Sequence, residues 1–302
     1  MPIKTLAAAG TFRKLANAWR DSDEPLNWGG FWGSSKALAT ATLAAESGNA
    51  LVVVVADSAS MDLAIDDLST FGAGAIAFPA REGRLGTDAE VLRERFHALD
   101  LVARDGFCGI LVAPLASLLQ PIPAADDSAA FVALEQDQEL DADAFLRRLI
   151  DAEFERVPAI TEPGQVAMRG DILDFYAPAL GEPLRLEFFD NELESIRVFD
   201  LASQRTRHVL KHVRVPLGRE LSEIAVDQDQ IPLAEMPTGV RVVVWEPGLV
   251  EEAEQRLRLN GGQWSRTLHR NAASKPWGTR LELATLPGRD GTLDVLSVEE
   301  YC

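Results

Sequence analysis

Residues 51–55 read Leu-Val-Val-Val-Val. A strand with one wet face alternates apolar and polar residues. An unbroken β-branched run has no polar face to offer and fits a strand covered on both sides. Strands of that kind sit inside parallel sheets flanked by helices, so this short segment already directs the chain towards an α/β architecture. The chain can supply the necessary core, because 47% of its 302 residues are apolar. That length fits two domains or a little more.

The surroundings of the run agree with it. Helical spacing appears over Leu6–Trp19, Ser35–Glu46 and Ser60–Phe71. A further helix is predicted over Asp88–Arg104, with Asp88 near its start and Val91, Leu92, Phe96, Leu99 and Val102 as its apolar stripe. Short strands are predicted at Ala75–Phe78 and Gly109–Val112. The pattern changes at Pro121–Ser128, a Pro/Ala/Asp stretch that reads as a linker. Beyond it, Asp141 is placed to cap a helix over Asp141–Ile150. Strands follow at Gln165–Met168, Ile172–Tyr176, Leu184–Phe189 and Leu193–Phe199, with Asp190-Asn191-Glu192 as a hairpin loop. Strand Val240–Trp245 and helix Pro247–Leu259 return to the first style, while Gly261–Cys302 carries no assignable pattern. The expected organisation is an α/β domain begun by residues 1–128, an α+β domain inserted at 129–215, and the rest of the α/β domain at 216–302.

Charge and composition narrow the partners. The net charge is −18. Binding to nucleic acid draws on Lys and Arg to release phosphate counterions, so direct nucleic-acid binding is expected to be weak or absent. No run of 18 apolar residues is present, and no membrane partner is expected. Cys108 and Cys302 are too few for a disulfide framework or a zinc site, which suits a reducing cytoplasm. His208 and His212 are four residues apart without a third ligand nearby in a Val-rich, extended-looking segment, so no metal site is expected.

Residues Gly29–Ala37 are similar to a phosphate-binding loop of the form GxxxxGK[ST]. Aligned on Gly30 and Lys36, the loop has Ser35 where the second glycine belongs and Ala37 where a hydroxyl would ligate magnesium. Alanine cannot ligate a hard cation, and a side chain at Ser35 obstructs the close backbone approach that glycine permits. Gly30, Ser35 and Lys36 are therefore a vestigial phosphate site at most. Asp57, after the central strand, has no acidic neighbour and reads as the start of a helix. No catalytic residues and no cofactor are expected, and ATP hydrolysis least of all.

The most specific stretch begins at Arg169-Gly170-Asp171-Ile172-Leu173-Asp174-Phe175 and continues through Leu184-Arg185-Leu186-Glu187-Phe188-Phe189 and Asp190–Asp200 to Ser203-Gln204-Arg205-Thr206. It resembles the UvrA-interaction domain shared by UvrB and the bacterial transcription-repair coupling factor. A weaker resemblance runs over the whole chain, including the altered loop, the helix after Gly86-Thr87-Asp88 and the strand Ile110–Ala113. The resemblance implies a degenerate P-loop NTPase fold (RecA-like, UvrB-like) carrying an inserted α+β UvrA-interaction domain. It implies UvrA as partner, with Arg169, Arg185 and Phe189 on the contacting surface. UvrB keeps an intact phosphate loop and an aromatic-rich hairpin. The altered loop here, and tyrosine at only Tyr176 and Tyr301, favour the coupling factor over a UvrB-type ATP-dependent damage-recognition subunit. In that family a polymerase-binding domain and two motor domains follow, and a C-terminal domain masks the UvrA-binding face. A chain ending at Cys302 is expected to leave that face open.

The residues support a surface role without the family. Alternation places Leu184, Leu186 and Phe188 on one face of a strand and Arg185, Glu187 and Phe189 on the other. Aromatic and arginine side chains dominate binding hot spots. Either Phe189 is covered by another part of the chain, or it stands on an open face. In the second case Arg169 and Arg185 would pair with acidic groups of the partner while Phe189 fills an apolar depression.

Overall fold

The computed structural model describes residues 10–22, 24–48, 50–81, 89–102, 107–120, 131–217, 240–259 and 280–292. The predicted linker Pro121–Ser128, the segment Gly86–Asp88 and both ends of the chain lie outside them. The described residues form two compact units, one drawn from 1–82, 98–121 and 228–302 and the other from 83–97 and 122–227.

The first unit opens with helix α1 (Gly10–Asp21), which buries Phe12, Leu15, Ala16 and Trp19 at helical spacing. Strand β1 (Leu26–Gly29) leads through the glycine loop into α2 (Ser35–Ser47). Gly48 ends α2 in the left-handed region at φ 64°, its N–H donating to the Ala44 carbonyl at 3.1 Å. Strand β2 (Leu51–Val55) is buried at every position, as an unalternating run requires. Helix α3 (Ser58–Thr70) starts at Asp57, whose carboxylate accepts the Ser60 N–H at 2.9 Å. Then come β3 (Ala75–Ala77), α4 (Ala89–Val102), whose residues up to 97 belong to the second unit, β4 (Ile110–Pro114) and the short α5 (Leu115–Leu119).

The chain next builds the second unit. Strand β5 (Phe131–Glu135) precedes α6 (Ala142–Asp151), which is capped by Asp141 through the Ala144 N–H at 2.8 Å. There follow β6 (Glu155–Arg156), β7 (Gln165–Arg169), β8 (Ile172–Phe175), β9 (Leu184–Phe189), β10 (Glu192–Phe199), β11 (Thr206–Leu210) and β12 (His212–Pro216). Six of these strands make one sheet in the order β11-β10-β9-β8-β7-β6, antiparallel except for the β6–β7 pair, and β5 pairs with β12. The inner face carries Leu184, Leu186 and Phe188 with Leu173 and Phe175, against Phe145, Leu146 and Leu149 of α6. Phe175 meets Phe145 edge to face, with ring centroids 5.7 Å apart.

Strand β13 (Arg241–Trp245) returns to the parallel sheet and α7 (Pro247–Leu259) follows it. Strands β14 (Arg280–Leu283) and β15 (Gly291–Thr292) complete a seven-stranded sheet in the order β15-β1-β14-β13-β2-β4-β3, parallel at every pairing. The C-terminal stretch, patternless by composition, thus supplies two strands. Both are short, at four and two residues, too few to stand out as a period in the sequence.

One glycine is dictated by close packing of the backbone. A methyl group on Gly29 would lie 1.9 Å from the Leu286 carbonyl oxygen and 2.2 Å from the Gly288 nitrogen. Main chain cannot swing aside as a side chain can. Gly29→Ala is therefore expected to destabilise the protein by about 3 kcal/mol, the upper end of ordinary overpacking, as a lower urea midpoint at unchanged slope.

Candidate functional site

The outer face of the six-stranded sheet is laid out by register. Arg169 pairs with Ile172, Ile172 with Glu187, and Glu187 with Ser195. The neighbouring row runs Ala167, Asp174, Arg185, Arg197, Val209. Residues directly opposite on adjacent strands share a face, so both rows point away from the core formed by Leu184, Leu186 and Phe188.

This register sets Arg185 directly opposite Arg197. Two like charges so placed repel unless each has its own counter-charge. Asp174 supplies one: Arg185 Nε donates to Oδ1 at 2.7 Å and Nη2 to Oδ2 at 2.8 Å. Arg185 Nη2 also reaches Gln204 Oε1 at 2.9 Å, and the guanidinium lies 4.4 Å over the buried Phe199 ring. The bonds to Asp174 hold the Arg185 pKa above its ordinary value. Glu187 supplies the other counter-charge, 2.6 Å from Arg197 Nη2, and accepts the Ser195 hydroxyl at 2.9 Å. Beyond this row, Asp200 accepts the Ser203 N–H and hydroxyl, each at 2.9 Å, and Arg207 Nη2 at 2.6 Å. Those three donors lower its pKa to about 2.

The predicted residues fall as follows. Phe189 is 69% exposed, at the mouth of the β9–β10 hairpin, where Asp190 takes φ 51°. The alternative in which the chain's own core covers this ring does not hold. Arg169 is exposed, and its Nε and Nη2 donate to the Pro158 carbonyl at 3.0 and 2.6 Å. Arg185 occupies the same face, but the carboxylate its fork grips is Asp174 of its own chain. Ile172, not singled out from the sequence, is 37% exposed on the row that holds Arg169. The Ile172/Asp174 against Leu173/Phe175 alternation carried that signal. His208 and His212 stand on different strands, β11 and β12.

The loop residues lie in the first unit. Gly30 and Gly33 take positive φ, 82° and 51°. Lys36 Nζ donates to Glu246 Oε1 at 2.8 Å, to the Phe31 carbonyl at 3.2 Å and to Thr285 Oγ1 at 3.4 Å. Three acceptors match the three N–H bonds of an ammonium. The Thr285 hydroxyl and N–H in turn serve Glu246, at 2.5 and 3.2 Å. Ser35 begins α2, and its Oγ is buried with no hydrogen-bond partner among the described residues. Asp57 is engaged as the cap of α3. Its pKa is lowered by the Ser60 hydroxyl and N–H.

Burial pushes the Glu246 carboxyl up, and the bonds from Lys36 and Thr285 outweigh it, leaving the pKa below its ordinary value. A depressed folded-state pKa stabilises the protein above the unfolded carboxylate value, and that contribution is lost as pH falls through the folded value. Glu246→Gln should cost about 2 kcal/mol at neutral pH, because it leaves the Lys36 charge in a largely enclosed place without its partner. The gap from the parent, measured by urea unfolding across pH, should narrow below the ordinary glutamate range.

Comparison with known proteins places these observations. Residues 132–219 match the family model of the UvrB interaction domain. A transcription-repair-coupling factor of Myxococcus xanthus is 34% identical over 186 residues, covering 57% of this chain and 15% of that protein. One from Bacillus subtilis is 24% identical over 217 residues, covering 70% of this chain and 18% of that protein. One from Staphylococcus epidermidis is 33% identical over 129 residues, 42% of this chain and 11% of that protein. The aligned part of this chain thus spans less than a fifth of the length of these relatives.

Proposed function

We propose that this chain, a relative of the transcription-repair-coupling factors that carries a UvrB interaction domain, is a docking module for UvrA in transcription-coupled nucleotide excision repair. The observation that carries the reading is Phe189. A large aromatic ring, 69% exposed, stands at the edge of a sheet face on which Arg185 and Arg197 are paired with Asp174 and Glu187. An exposed ring on an ordered strand loses little conformational entropy on docking and removes much apolar surface from water, which is why such residues anchor interfaces. Arg169 and Arg185 share that face, as the resemblance implies. The net charge of −18 favours a protein partner over DNA.

The parallel unit is on this reading an ATPase-like scaffold without chemistry. Lys36 is engaged by Glu246, Phe31 and Thr285, and Ala37 offers no metal ligand. Recruitment of UvrA to a stalled polymerase, and any translocation, belong on this reading to longer proteins of the family.

Titration calorimetry against purified UvrA tests the reading. The parent chain should bind, and Phe189→Ala should bind at least about thirty-fold more weakly, the equivalent of about 2 kcal/mol. An unchanged affinity for Phe189→Ala sinks the proposal. ATP with magnesium should be neither hydrolysed nor able to raise the melting temperature. Turnover would reassign the chain to the ATP-dependent, UvrB-type class.

A further inference from the structure

We propose that Trp32 and Leu63 of the first unit form an apolar docking surface for a basic protein segment, one that carries arginine or lysine beside an apolar side chain. Trp32 is 57% exposed and Leu63 is 68% exposed. They belong to different elements that one hydrogen bond ties together. Trp32 lies in the loop between β1 and α2, and Ser34, two residues on, donates from Oγ to Asp67 Oδ1 of α3 at 2.7 Å. Leu63 stands one helical turn before Asp67, and residues so spaced are neighbours on a helix surface. The Trp32 backbone is fixed on both sides. Phe31 before it is fully buried and donates its N–H to the Ala284 carbonyl at 3.1 Å, while the Trp32 carbonyl accepts the Ser35 N–H at 3.1 Å. An exposed indole on ordered backbone loses little freedom on docking, as an anchor requires.

Charge selects the occupant. Helices α2 and α3 together carry Glu46, Asp62, Asp66 and Asp67, and their one base, Lys36, is ion-paired with Glu246. Asp62 and Asp66 are exposed and four residues apart, a spacing at which like charges on a helix repel. Asp66 and Asp67 also lie towards the C-terminal end of α3, the negative end of its dipole, and the last turn holds no basic residue to offset them. Leu63 is one turn from both, so the apolar side chain has an acidic border that a cation on a partner relieves. Trp32 adds the aromatic face on which a guanidinium stacks best. A nucleic acid, or a second copy of a chain of net charge −18, brings the wrong sign to this border. A protein segment with basic side chains set around an apolar one matches both parts of the surface.

Calorimetric titration of the full chain with short amphipathic helical peptides tests this. One peptide presents leucine on one face and arginine on the other, a second has glutamate for each arginine, and a third has serine for each leucine. The leucine–arginine peptide should bind, and more weakly as salt rises. Trp32→Ala and Leu63→Ser should each weaken it about tenfold while the melting temperature stays at the parent value. The double variant Asp62→Asn/Asp66→Asn should weaken it several-fold. Phe189→Ala should leave it unchanged, so the result stands apart from any binding of UvrA. The proposal falls if the leucine–arginine peptide does not bind, if Trp32→Ala and Leu63→Ser leave its affinity at the parent value, or if the glutamate or serine peptide binds as tightly. Binding of duplex DNA that Trp32→Ala abolishes, or a dimer in sedimentation equilibrium that Trp32→Ala dissolves, gives the surface to another occupant and overturns it as well. Should either apolar variant lose its fold, Asp62→Asn/Asp66→Asn decides, since both carboxylates are exposed.

Discussion

Burial of β2 on both faces is the constraint from which the first unit follows. Val52 and Val54 must be covered on one side of the sheet while Leu51, Val53 and Val55 are covered on the other. Strand β2 also needs hydrogen-bonding neighbours along both edges, since an uncovered edge in an apolar strand invites aggregation. Strand β4 satisfies one edge and β13 the other, each in parallel register. The layered arrangement of helices and the return of the chain after a long excursion both answer that one requirement.

The second unit obeys a different rule. Its sheet has one dry face and one open face, so its sequence alternates, and its open face is stabilised by charge placement. Register forces Arg185 opposite Arg197, and the sheet tolerates this because Asp174 and Glu187 lie alongside on neighbouring strands. The result is a polar surface whose central arginines are neutralised within the sheet, interrupted by exposed Ile172, Phe189 and Val209. Such a face is stiff, since every long side chain in the row is tethered.

Local patterns were readable from the residues, and pairings across the chain were not. The β2 run, the Asp141 cap, the β9 and β10 strands and the Asp190 turn are written in neighbouring residues, where periodicity and capping act. Strands β1, β5 and β15 escaped because four-residue or shorter segments, or a segment beside a linker, give no period to read. At the candidate site, alternation placed Arg185 and Phe189 on one face and left open whether anything covered it. That Asp174 is the acid facing Arg185 depends on the offset between β8 and β9, which no single strand encodes. The contact of Lys36 with Glu246 joins residues from the two halves of a discontinuous unit, beyond the reach of any local pattern.

That discontinuity has a consequence for how the protein comes into being. Strand β2 is made early, yet Val53 has to wait for Val243 before one of its edges is paired. The strands of the six-stranded sheet, by contrast, lie within residues 155–210, each bonded to a neighbour close in the chain. Contacts that span short lengths of chain form sooner than those that close long loops. During synthesis the inserted unit can therefore reach its native sheet while the older α/β segment is still incomplete, with one edge of an apolar strand unpaired until β13 emerges.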